Sequence, residues 1–95
     1  MKIERLDWRH NREEHIACHG VSREEVEEAV FDDRTGILLR QGPAQRNPDE
    51  TVYQHLGCTE AGRYLFTALL YTSGGEAMPL TARDMTDTER RRYRR

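Results

Sequence analysis

The sequence predicts an α+β domain with two short helices at the start, an antiparallel β-sheet after them and a C-terminal helix. Three observations carry this. Gly20-Val21-Ser22 separates two stretches of helical character: Gly20 can take the left-handed conformation that ends a helix, and Ser22 with Glu25 forms an S-x-x-E capping box that opens the next. Between residues 37 and 83, β-forming runs alternate with short glycine-containing turns. Thr86 and Glu89 then repeat the capping box ahead of an arginine-rich tail, Arg90-Arg91-Arg92-Tyr93-Arg94-Arg95.

Taken in order, residues 2–7 are assigned a short strand, and Asp7 offers an N-cap for a helix over Trp8–Cys18. In that helix Trp8, His15, Ile16 and His19 recur at near-helical spacing, which predicts a narrow buried stripe on a charged cylinder. The second helix runs from Ser22 to about Phe31, with Val26, Ala29 and Val30 inward and Arg23, Glu24, Glu27 and Glu28 outward. Val21 and Val26 hold the positions of a hydrophobic staple, and the acidic first turn suits the helix dipole.

After Asp32-Asp33 the period changes. Ile37-Leu38-Leu39 reads as a strand, Gly42-Pro43 to Asn47-Pro48 as an exposed loop, and Thr51–Cys58 as a strand with Val52, Leu56 and Cys58 on one face. Arg63–Thr72 is apolar on both faces, which marks the central strand. Hairpin turns at Glu60-Ala61-Gly62 and Ser73-Gly74-Gly75 make 51–58, 63–72 and 76–83 an antiparallel meander. Pro79 cannot donate to a ladder, so the last strand must be an edge or carry a bulge there.

With 95 residues, the chain is assigned one domain, 1–95. No apolar run approaches the ~20 residues of a membrane span and the start has no signal-peptide core, so a cytoplasmic protein without membrane association is expected. Two cysteines, Cys18 and Cys58, are too few for a disulfide framework or a cysteine metal site. No P-loop, G-x-S-x-G, C-x-x-C or glycine-rich dinucleotide loop is present, which removes nucleotide-dependent and serine- or cysteine-nucleophile chemistry and leaves no cofactor expected.

Charge is unevenly spread. Residues 1–33 hold ten acidic and five basic side chains, whereas residues 81–95 hold six arginines against three acids. His15 and His19 have the spacing of two metal ligands, but no glutamate follows the first as in H-E-x-x-H and no third ligand is evident, so packing or capping roles and no metal are expected. The pairs Asp32-Asp33 and Asp49-Glu50 are of a kind that turns and helix ends use.

What remains for chemistry is basic. The second hairpin brings Arg63, at the start of the central strand, and Arg83, at the end of the last, to one end of the sheet, while the first sets His55 opposite Phe66 to within one residue. A histidine and two arginines at one end could cleave RNA without metal: a base deprotonates the 2′-hydroxyl, arginines stabilise the phosphorane and an acid protonates the leaving oxygen. Solubility and helix-end charge account for the same residues without chemistry.

Trp8, His19-Gly20-Val21-Ser22, Glu24-Glu25 through Val30-Phe31-Asp32-Asp33, Glu50, Tyr53, Leu56-Gly57, Gly62-Arg63, Ala82-Arg83 and Glu89-Arg90 with Tyr93 together give a pattern along nearly the whole chain. It resembles the BrnT-type toxins of type II toxin–antitoxin modules. The resemblance implies a RelE-like fold, metal-independent ribonuclease activity and neutralisation by a cognate ribbon-helix-helix antitoxin, with DNA reached only through that antitoxin and RNA met free or on the ribosome. By position it makes Arg63 and Arg83 phosphate-binding or transition-state arginines and Glu50 an acid/base or positioning group, with His19 and Trp8 as supports of the corner. Val52 stands where the family has an arginine, Met78-Pro79 where it has a basic and aliphatic pair, and Arg23 where it has an aromatic. Arg46 or His55 could replace the missing groups, and Arg46, Arg90 and Arg91 are the expected RNA contacts. A catalytically weak or inactive module of the same fold, binding a protein partner through its apolar and basic faces, is the alternative.

Overall fold

A computed structural model describes residues 2–94, so Arg95 of the basic tail lies outside the described residues. The protein is α+β: a five-stranded mixed sheet and three α-helices. Strand β1 is Arg5–Leu6, helices α1 and α2 are Arg12–Ala17 and Arg23–Glu27, strands β2 to β5 are Ile37–Pro43, Thr51–Cys58, Tyr64–Ser73 and Glu76–Asp84, and helix α3 is Asp87–Tyr93. Across the sheet the order is β1-β5-β4-β3-β2, which puts β4 in the centre as its two apolar faces require.

The meander β2 to β5 is antiparallel, but β1 pairs parallel with β5 at Arg5 and Leu6, so the sheet is mixed and the strand expected over 2–7 shrinks to two residues. The β4–β5 turn is the two-residue loop Gly74-Gly75, both with φ above +60°, the conformation a tight hairpin demands. Pro79 sits inside a bulge: Ala68 faces Thr81 and Leu69 faces Pro79, leaving Leu80 as the extra residue. Strand β2 runs on to Pro43, past its expected end at Leu39, by means of another bulge between Arg40 and Gly42.

The first helix begins later than expected. Asp7 does not cap it; its carboxylate takes the Arg9 backbone N–H at 3.0 Å and the Arg9 guanidinium at 2.8–2.9 Å, forming a local turn. His10 and Asn11 then both adopt left-handed backbone conformations, which bars α-helix until Arg12. Both predicted capping boxes form. Ser22 Oγ accepts from Glu25 N at 3.1 Å while Glu25 returns a bond to Ser22 N, and Thr86 and Glu89 do the same for α3. Beyond Glu27 the second helix widens into a π-helical turn, Glu28–Asp32.

Alternation along β4 divides the core. On one face Leu65 and Ala82 pack with Ile16, Val21, Val26 and Ala29, and Trp8 closes the cluster from the side, donating its indole N–H to Glu27 at 2.8 Å. On the other face Leu56 and Phe66 pack with Met85 and with Tyr93 of α3. Ile16 alone of the predicted α1 stripe is buried within the helix, and His15 and His19 are exposed, contrary to the stripe expected of them. None of the helices is long and apolar enough to cross a membrane, among the described residues.

Candidate functional site

The two arginines expected to share a site lie near one end of the sheet but on opposite faces. Arg63, just before β4, reaches into the helical layer. Its guanidinium donates to the Gly20 carbonyl at 2.8 Å, to Glu25 at 3.1 Å and to Asp84 at 2.7 Å. The bonds to Asp84 and then Glu25 raise its affinity for the proton, Asp84 contributing most, and it is a structural cross-link between the helical corner and the sheet. Glu25 answers for both elements. Burial pushes its carboxyl up, but bonds from the Ser22 backbone and from Arg63 outweigh that and leave it below the ordinary value.

Arg83 lies on the other face, one position after Ala82 in the alternation. Its guanidinium stacks 4.1 Å from the centroid of Phe66, its partner in the β4–β5 ladder, and makes a two-pronged bond to Glu89 at 2.8 and 3.0 Å. Beside it Tyr64 and Tyr93 meet edge to face at 5.8 Å. Arg90 and Arg94 of the C-terminal segment lie over Tyr64 at 5.2 and 5.4 Å from its centroid. Among the described residues, Arg90 and Arg94 have no carboxylate partner, so this end of the open face is an aromatic platform edged by two unpaired cations.

His55 does not join either arginine. The observed register puts it opposite Thr67, with Leu56 opposite Phe66, and a shift of one residue transfers a side chain to the other face of a strand. The ring is 6% exposed, wedged where a Cβ on Gly57 would come within 2.6 Å of it and one on Gly36 within 2.9 Å. Burial lowers its pKa from 6.5 to about 4 against a small opposing pull from Asp33, so it is neutral at pH 7. Its Nδ1 and the Thr67 hydroxyl, side by side in the ladder, are both buried with no hydrogen-bond partner among the described residues. It is a packing residue and cannot exchange protons with a substrate on the open face.

Glu50 and Arg46 meet elsewhere. Both line a groove of about 710 Å³ on the open face, floored by Val52, Ala68, Leu70 and Leu80. Ala68 is two positions from Phe66 along β4, roughly 7 Å away, so the groove continues from the Arg83 platform. The loop carrying them is held by Ala44 N–H to the Glu50 carbonyl at 2.8 Å and Glu50 N–H to the Asn47 carbonyl at 3.0 Å. No group of three His, Cys, Asp or Glu side chains converges to hold a metal ion among the described residues.

Sequence reasoning did not single out Asp33 as more than a turn residue. Its carboxylate accepts from Tyr93 OH of α3, from the Cys58 backbone of β3 at 2.8 Å, and from the backbone and hydroxyl of Thr35 at 3.0 and 2.8 Å. Burial would raise its pKa, but these donors hold it below the ordinary value. The carboxylate thus ties the C-terminal helix to the rest of the domain. The chain matches no protein-family model, and comparison with curated proteins gives no significant match.

Proposed function

We propose that the protein is a RelE-like ribonuclease toxin of a type II toxin–antitoxin module, neutralised by a ribbon-helix-helix antitoxin, and that it acts on RNA with the open face of its sheet. The single observation that carries this reading is the Arg83–Phe66–Tyr64 platform with Arg90 and Arg94 beside it. Aromatic faces and arginine planes are the chemistry that receives unstacked bases and phosphates of single-stranded RNA. In the reaction, Arg83 stabilises the charge that builds on the phosphorane after 2′-hydroxyl attack, and Arg90, Arg91 and Arg46 hold flanking phosphates. Among the described residues that line this groove, Glu50 is the acid/base candidate, beside the cation Arg46. Arg63 is reassigned to scaffold by its three partners, and His55 by its burial.

Arg83 must exchange Glu89 for phosphate before it can act. This favours a second reading, a module that binds a protein partner in the apolar groove without cleaving RNA. Induced expression with and without the neighbouring gene separates the two. Growth arrest relieved by that gene, together with cleavage of RNA by purified protein that falls about 10²- to 10³-fold in Arg83→Ala, is the expected result. Unimpaired growth and intact RNA would leave the binding module as the function.

A further inference from the structure

The geometry points to a transition-metal site on the helical corner, formed by His15 and His19 and suited to Zn²⁺, Ni²⁺ or Cu²⁺. Both residues are exposed, and among the described residues neither imidazole has a hydrogen-bond or ion-pair partner. Their rings stand 5.6 Å apart, centroid to centroid, inclined at 76°. Two imidazoles bound to one tetrahedral ion at about 2.0–2.1 Å per bond have centroids roughly 5 Å apart, close to the separation observed, so an ion fits between the rings once a nitrogen of each turns towards it. Imidazole nitrogen selects borderline first-row ions over Mg²⁺ and Ca²⁺.

Backbone structure fixes the spacing. His15 lies in α1, and His19 lies in the turn that follows, its N–H bonded to the Ile16 carbonyl at 3.0 Å. Gly20, with φ +76°, and the buried Val21 then lock the chain onto α2. The two ligands are therefore carried on one continuous backbone unit, which lowers the entropy lost when an ion bridges them. Since no third protein ligand converges among the described residues, water or an exogenous donor completes the coordination. An ion held there would staple the end of α1 next to the Gly20 carbonyl that anchors Arg63.

Calorimetric titration of the purified protein with ZnCl₂, and separately with NiCl₂, tests this, with the histidine ring protons followed by NMR. One ion per chain is expected, perturbing His15 and His19 and leaving His10 and the buried His55 unmoved, with a Tm that rises as the site fills. His15→Asn or His19→Asn should weaken binding roughly ten- to a hundredfold by removing the chelate. His10→Asn and Cys18→Ser, also exposed positions, should leave it unchanged. Binding that survives the double His15→Asn/His19→Asn variant, or that is lost on Cys18→Ser alone, would overturn the assignment, as would the absence of binding to the wild-type protein.

Discussion

Replacing His55 by Gln should abolish a loss of stability that the wild-type protein suffers on mild acidification. The unfolded chain takes up the histidine proton at its ordinary value of 6.5, whereas the folded protein resists it until about 4. Between those values the unfolded state binds more protons, so stability rises with pH and is lost as pH falls from 6.5 towards 4. At about pH 5 the difference amounts to about 2 kcal/mol relative to about pH 7.5, approaching ~3 kcal/mol when the folded form also titrates. Carboxylates held low by their partners, among them Glu25, Asp33 and Glu89, lose their contribution at lower pH, below their ordinary values of 3.8 to 4.5. Urea unfolding at about pH 7.5 and about pH 5 isolates the histidine. The surface histidines are common to both proteins, so the wild-type minus His55→Gln difference reports His55 alone. Equal pH dependence in the two, or an NMR titration of the His55 ring centred near its ordinary value, would refute the buried neutral ring.

Other substitutions probe the remaining joints. Gly57→Ala should destabilise the protein by about 3 kcal/mol or abolish folding, because its Cβ would meet the Ala29 carbonyl at 2.5 Å and the His55 ring at 2.6 Å; thermal unfolding reads this directly. Arg63→Gln should cost about 1–2 kcal/mol in urea unfolding through lost bonds to Gly20, Glu25 and Asp84, and a change in RNA cleavage with unaltered stability would return Arg63 to the site. Thr86→Ala removes the N-cap of α3 and should cost about 1 kcal/mol, with faster hydrogen exchange centred on the first turn of α3, at the Glu89 N–H.

Local signals in this sequence were the most legible. Ser22–Glu25, Thr86–Glu89 and Gly74-Gly75 each specify a conformation through neighbours a few residues away, and each forms as the residues require. The central position of β4 followed from its two apolar faces. Asp7 departs from its capping preference because the nearby Arg9 competes for its carboxylate. The site was less legible, since strand pairing fixes faces only when register is known to the residue. One position of error carried His55 across the sheet, and counting hairpin ends put Arg63 beside Arg83 without revealing that they point apart. Composition also shows cations without their partners: Glu25, Asp84 and Glu89 are far in sequence from or unremarkable beside the arginines they neutralise.

Glu89 occupies two roles with one carboxylate. Its Oε1 closes the cap on the first turn of α3 and also accepts from Arg83, whose second prong goes to Oε2. Thermodynamic reciprocity follows from that sharing. An anion that draws Arg83 away from Glu89 weakens the seating of the C-terminal helix, and anything that peels the helix from Phe66 unmasks Arg83 by the same free energy. An anion on the sheet and the seating of the C-terminal helix would therefore compete for one arginine.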